Sequence, residues 1–324
     1  MPRLSIVIPC LGGAAEFDGT LVSVLQNRPL DCEVLVLHTE RYNDPYALQG
    51  EVRFIEAQNQ TLTGLLNAAL DVAAGEVLHI VGCGLETTEG WTAPALTHFD
   101  DPDVAAVSPV VLSGEDQSVV AAGVRWSLGG ARQVISDPRI AAPGSGRLRA
   151  KVLGPTLAAA FYRRDVLVAI GGFETALGDE LADVAAALDL QSLGRLSVCE
   201  PASRLVQTHP AVSHSARGFA SGRAAERLFW RHAGNRGLAI ALGLHPFSIG
   251  REAVGQAPSA SILTSLAGRA AAWFEFGAVR GHEQRLTEAS RRLAELAELR
   301  TSRRKSKKRA AEVDIAVPQR RRAA

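Results

Sequence analysis

The stretch "GEVLHIVGCGLETTEGW", residues 75–91, decides the fold. Its "VLHIV" is short, apolar and bounded by glycine, which reads as a strand buried on both faces. The strand runs into a loop carrying Gly82, Cys83 and Gly84, and the first acid after it is Glu86. In an open α/β sheet, ligands bind beyond the carboxyl ends of the strands. The loop after Val81 is therefore the first place to look for a site.

Working outward, the chain alternates. "LSIVIP" (4–9) and "CEVLVLH" (32–38) are continuous apolar runs, and "VRFIEA" (52–57) is a shorter one. Between the first two, Phe17, Leu21, Val24 and Leu25 recur at helical spacing. Residues 59–75 place Leu62, Leu65, Leu66, Ala69 and Ala73 on one stripe, with Gly75 positioned to end the helix in a left-handed turn. Apolar strands separated by amphipathic helices predict an α/β fold: a mostly parallel sheet with helices on both faces. Downstream, "DVAAVSPVVL" (103–112) predicts a strand, and "TLAAAFYRRDVLVAIGGF" (156–173) a strand, a short helix and a Gly-Gly turn. "ADVAAALDLQSLG" (182–194) predicts a helix, and "RLSVCEPASRLVQTHP" (195–210) the last strand. Residues 113–150 read as a hairpin and a mobile basic loop, with Arg147, Arg149 and the adjoining Lys151.

Beyond about residue 215 the pattern is helical. "RAAERLFWRHAG" and "SILTSLAGRAAAWFEF" are two candidates, while "GLAIALGLHPF" is stopped by Pro246. In "HEQRLTEASRRLAELAELR", Leu286, Ala289, Leu293 and Leu296 share one face, and Glu288 stands four residues before Arg292. That face suits either packing back on the domain or self-association. The expected organisation is an α/β domain over 1–215, a helical extension over 216–299 and a basic tail over 300–324.

The 324 residues are 47% hydrophobic, enough for a sizeable core. A net charge of +1 conceals an asymmetry: from Arg300 onward, ten Lys/Arg stand against Glu312 and Asp314, which leaves −7 on residues 1–299. The tail has no interleaved aromatics, so no specific nucleic-acid partner is expected; a solubilising or non-specific tail is, with peripheral contact with an anionic membrane as the alternative. Cys10, Cys32, Cys83 and Cys199 are scattered, and three border apolar runs. Reduced thiols and a cytoplasmic setting, up to the inner face of a membrane, are expected. "LSIVIP" is too short for a signal peptide, and no apolar run approaches the ~20 residues of a spanning helix. Gly82-Cys83-Gly84 does not continue into a dinucleotide fingerprint, because the third glycine is missing.

Taken in order, "LSIVIPC", "CEVLVL", "NQTLTGLLNAALDVAAGEVLHIVGCGLETTEGW", "DPDVAAVSP", "FYRRDVLVAIGGFETALG" and "ADVAAALDLQSLGRLSVCEPAS" resemble the family 2 glycosyltransferases. These belong to the nucleotide-diphospho-sugar transferases of GT-A fold, and the resemblance spans roughly residues 3–215. It implies inverting transfer of a sugar from a nucleotide-diphosphate donor to the hydroxyl of a glycan or other acceptor. Such a reaction needs a carboxylate to take the hydroxyl proton and positive charge to meet the departing diphosphate.

Carried over residue by residue, the resemblance makes Asp183 the base. Glu180, with Asp179 beside it, stands in for an acidic neighbour that is Ala182 here. It places nucleotide-sugar contacts at Pro9, Cys10, His38, Thr39, Asn67, Gly82, Gly84, Glu86 and His209, with His214 near the last. The family's Mg²⁺ or Mn²⁺ is the expected cofactor, but Gly82, Cys83 and Gly84 occupy the positions of its aspartate ligands. His38 and Thr39 replace a further acidic pair, and Leu66 an arginine. No residue is therefore assigned to a metal. The alternative reading is a catalytically degenerate protein that binds or scaffolds on the same fold.

Overall fold

The computed structural model describes residues 2–11, 14–39, 44, 47–58, 61–140, 152–209, 218–233, 237–256, 261–275, 281–299 and 302, with backbone alone at 14–15 and 252–256. Arg147, Arg149, Lys151, His214 and the basic tail beyond 302 lie outside them.

The chain opens with β1 (Leu4–Cys10), α1 (Ala14–Asn27), β2 (Cys32–His38), β3 (Arg53–Glu56), α2 (Leu62–Val72), β4 (Val77–Val81) and β5 (Leu85–Thr87). There follow α3 (Thr92–Thr97), β6 (Val104–Ser113), β7 (Val119–Ala121), β8 (Val124–Trp126), β9 (Arg132–Val134), β10 (Ala159–Arg163), α4 (Arg164–Ala169), α5 (Ala182–Ser192) and β11 (Leu196–Gln207). The helices α6 (Phe219–Ala233), α7 (Leu238–Gln256), α8 (Ser261–Ala272) and α9 (281–299) complete it.

Nine strands form one sheet in the order β3-β2-β1-β4-β10-β6-β11-β5, with β7 on β6; β8 and β9 make a separate hairpin. The first four in that order run parallel, β6 and β11 are parallel to each other, and β10 is antiparallel to both of its neighbours. The predicted mostly parallel sheet is thus present. Alternation along each strand divides the core. Val7, Leu35, Leu37, Leu78 and Ile80 face α2, α4 and α5, whereas Ile6, Ile8, Val34 and Val36 face α1 and α3. Leu65, Leu66 and Ala69 of α2 are fully buried, as their stripe predicted.

His79 is buried in the middle of β4 and stacks on Phe161 at 3.6 Å between ring centroids. Its Nε2 accepts the Trp91 Nε1–H at 2.8 Å, so Nδ1 carries the proton and donates to the Ala160 carbonyl at 3.0 Å. Burial drives its pKa down to about 3, which keeps it neutral.

Two local expectations need correction. α2 ends at Val72 with Ala73 extended, and Gly75 is not left-handed. Gly75 is needed for closeness instead: a Cβ there would sit 2.6 Å from the Ser5 nitrogen and hydroxyl. Pro246 does not stop its helix, since α7 runs on to Gln256 around it. The proline forgoes one intrahelical hydrogen bond, while the residue before it, His245, anchors the helix by reaching Gly129 O and Glu226. For α9, the choice left open resolves toward packing back: Ala289 and Leu293 join the core beside α2 and α5. No described helix is long and apolar enough to cross a membrane.

Candidate functional site

In-register parallel pairing brings the ends of β1, β2 and β4 level. Cys10 stands opposite His38, and Val7 opposite Ile80. The loop after β4 is then fixed by its backbone. Gly82 donates its N–H to the Ala158 carbonyl at 2.8 Å. Gly84 adopts φ +87°, a conformation costly for any side chain, and a Cβ there would stand 3.1 Å from the His209 carbonyl. Thr208 N–H donates to Gly84 O at 3.0 Å, tying the end of β11 to this loop.

The Cys83 thiol points back along the sheet end and donates to Pro9 O at 3.3 Å. A hydrogen bond with the Cys10 thiol, and burial after it, push the Cys83 pKa far above the ordinary thiol value. Pro9, Cys10, His38, Gly82, Gly84 and His209 lie together at these strand ends, with Thr39 next to His38 and His209 exposed to solvent.

Two assigned contacts are engaged with other partners. Asn67 uses both ends of its amide on Phe173, accepting its N–H at 2.8 Å and donating to its carbonyl at 2.8 Å. It clasps the Gly-Gly turn, where Gly172 at φ +75° leaves no room for a Cβ beside Asn67 Oδ1. Glu86 sits on β5, paired with Val206, and its carboxylate lies against α1, 3.7 Å from where a Cβ on Gly19 would stand.

Asp183 opens α5 and is 1% exposed. Arg132, from β9, grips it in a bidentate pair: Nε to Oδ1 at 3.0 Å and Nη2 to Oδ2 at 2.7 Å. Oδ1 also accepts the Val184 N–H at 2.7 Å, and the Leu157 N–H adds another bond. Burial raises the Asp183 pKa, and Arg132 opposes that shift. Glu180 is exposed and close enough to Arg132 to help hold its charge. Asp179 is committed to structure: it takes the N–H groups of Leu62 and Thr63 at 3.0 and 2.9 Å, capping α2.

The two ends meet at one dipeptide. Leu157 N–H serves Asp183, and the carbonyl of Ala158, its neighbour, receives Gly82 N–H. Adjacent Cα atoms are about 3.8 Å apart, so donor loop and candidate base flank the same segment.

Mg²⁺ and Mn²⁺ require oxygen ligands. The donor end offers glycine and sulfur, with the Cys83 thiol held protonated; the carboxylate that bears on Cys83 is Glu16, in the first turn of α1. That donor set does not fit a hard divalent cation. Glu16 and Arg132 were both missed from the sequence. Arg132 comes from a hairpin strand of only three residues, where no spacing links it to Asp183.

No protein-family model matches the chain, and no curated protein matches it in sequence. Among solved structures it is similar to GalNAc-T7 with UDP, GalNAc and Mn²⁺, at TM-score 0.55 and 15% identity over 72% of this chain. The match spans about half, 49%, of that chain's length. It is also similar to the mannosyltransferase PcManGT from Pyrobaculum calidifontis in complex with GDP-Man and Mn²⁺, at TM-score 0.46 and 18% identity over 89% of this chain and 86% of that one. At such identities the likeness is one of architecture. With its curled, mostly parallel sheet and flanking helices, the chain has the GT-A fold.

Proposed function

We propose that this chain is a glycosyltransferase of the family 2 type. It takes a nucleotide-diphosphate sugar at the ends of β1, β2 and β4 and transfers the sugar, with inversion, to a hydroxyl of a glycan or other acceptor. No metal is held by the donor loop. The observation that carries this reading is the Leu157–Ala158 segment, which sets a buried carboxylate beside the donor loop.

In the reaction, Asp183 takes the acceptor's hydroxyl proton as that oxygen bonds to the anomeric carbon. The bond from that carbon to the diphosphate breaks, and its electron pair leaves with the nucleotide. As folded here, Arg132 and two backbone N–H groups engage both carboxylate oxygens. Arg132 must therefore swing away first. Its side chain is 27% exposed on a two-stranded hairpin, so it has room to do so. Release has two effects. It leaves Asp183 buried without its cation, which strengthens it as a base. It also frees a guanidinium for the departing diphosphate, the charge that the donor loop does not supply.

The clasp itself favours a second reading, in which Arg132 never leaves and the protein only binds a nucleotide sugar. An Asp183→Asn variant separates the two. With UDP- and GDP-sugars as donors, the first reading expects nucleotide release to fall by about 10²–10⁴-fold while nucleotide affinity holds. No turnover in either protein would leave binding alone, and equal turnover in both would mean that Asp183 is not the base. The exposed Phe247, Phe274, Trp273 and Leu263 of the C-terminal helices and the turn after α8 suit a peripheral, cytoplasmic-face membrane contact. Sedimentation with anionic but not neutral vesicles is the expected outcome.

A further inference from the structure

Away from the donor loop, three helices bring one ligating side chain each to a common point. Asp189 comes from α5, His232 from α6 and His282 from α9. Their ligand atoms all lie within 4.8 Å of one another. His282 Nε2 is 3.1 Å and His232 Nε2 is 3.8 Å from Asp189 Oδ1. Both imidazoles are 4% exposed and the carboxylate 14%. Among the described residues, neither His282 Nε2 nor Asp189 Oδ1 has a hydrogen-bond partner. Buried polar atoms left this way are costly, and natural interiors hold few of them.

We infer that this cluster is a metal centre for a borderline divalent ion, Zn²⁺ foremost. A single proton between Asp189 and one imidazole would satisfy one pair, whereas an ion satisfies all three groups at once. Two imidazole nitrogens and one carboxylate oxygen suit Zn²⁺ and its neighbours Co²⁺ and Ni²⁺; Mg²⁺ and Ca²⁺ prefer oxygen throughout. Tetrahedral bonds of about 2.0–2.1 Å place ligand atoms about 3.3 Å apart. The observed separations bracket that value, so small side-chain torsions close the site. Three protein ligands leave a fourth position for water.

One contact opposes the ion and sharpens the test. Arg285 Nη2 stands 3.3 Å from His282 Nδ1, and a guanidinium only donates. Without metal, the His282 proton therefore sits on Nε2. Binding moves it to Nδ1 and turns Arg285 aside. Arg285 is half-exposed and keeps Glu174 as its partner.

The centre is separate from the proposed reaction. Asp189 lies six residues past Asp183, about 9 Å along α5 and on another face. Because each ligand comes from a different helix, the ion joins the C-terminal helices to the GT-A sheet. An ion bound only by the folded state stabilises that state.

The test uses untagged full-length protein stripped with chelator and titrated with Co²⁺, read by visible absorption. The expected result is one Co²⁺ per chain, with ligand-field bands of a nitrogen–oxygen site and no thiolate charge-transfer band. Zn²⁺ should displace it and raise the melting temperature, and Mg²⁺ should do neither. Asp189→Asn and His282→Gln should each weaken Co²⁺ binding at least tenfold and remove the Zn²⁺ shift. Circular dichroism of the metal-free variants reports whether they fold. Arg285→Ala should tighten binding, which a plain Asp189–His282 ion pair does not predict. Saturation no stronger in the wild type than in the folded Asp189→Asn protein would overturn the inference. So would a thiolate band that disappears with Cys10→Ser and Cys83→Ser.

Discussion

The donor end and the base end of the site differ in how they handle charge. At the ends of β1 and β4 the chain presents Pro9, Cys10, Gly82, Gly84 and the protonated thiol of Cys83. At the start of α5 it presents a carboxylate, buried and clasped by a guanidinium. The lesson is that a fold can keep the positions of a reaction while redistributing the charges the reaction needs. Among the described residues, the cation that meets the candidate base is Arg132, and it lies beside Asp183 rather than at the ends of β1 and β4.

The comparison can be broken from either end. The largest expected effect belongs to His79, in the strand beneath the donor loop. Its pKa is 6.5 when unfolded and about 3 when buried, so the folded state resists protonation. Stability is then complete above about pH 6.5 and declines as pH falls toward 3, by up to about 1.4 kcal/mol per unit. Chemical denaturation across that range should show this slope, and His79→Leu should flatten it. An unchanged slope would mean that the donor end is not held together by a neutral histidine.

Next comes Arg132→Ala, which strands a buried carboxylate. Breaking such pairs costs about 3–5 kcal/mol, and the partial exposure of Arg132 argues for the lower end or somewhat less. Adding Asp183→Asn should recover most of that loss, as measured by a double-mutant cycle. A smaller effect is expected of Gly84→Val, which forces a branched side chain into φ +87° against His209. Backbone strain of that kind costs about 1–3 kcal/mol, and nucleotide affinity should fall with it. Smallest is Asp179→Ala, which removes two hydrogen bonds to the first turn of α2 for about 1 kcal/mol and leaves the Thr61 cap in place. Nucleotide binding should be untouched, since both Asp179 oxygens serve that helix.

Much of the fold was legible because it rests on local patterns. The apolar runs at 4–9, 32–38 and 77–81 became strands, and the Leu65–Leu66–Ala69 stripe became the buried face of α2. Pro246 misled because a proline's local veto yields when the helix is anchored beside it, here by His245. Gly75 misled for a related reason: its role is set by Ser5, 70 residues away, and not by its own helix. At the site, the strand-end residues were legible because parallel register brings them together. Arg132 was not, because a clasp between β9 and α5 leaves no spacing in the chain. The same holds for Asp189, His232 and His282, which three helices assemble from distant segments.

The proposed donor end binds a nucleotide diphosphate without a metal. Calorimetric titration with UDP and GDP, once in chelator and once in Mn²⁺, is the decisive measurement. One of the two nucleotides should bind with the same affinity in both conditions. Binding that requires Mn²⁺ would contradict it, and would show that Glu16 or Glu86 completes a metal site the folded chain does not display.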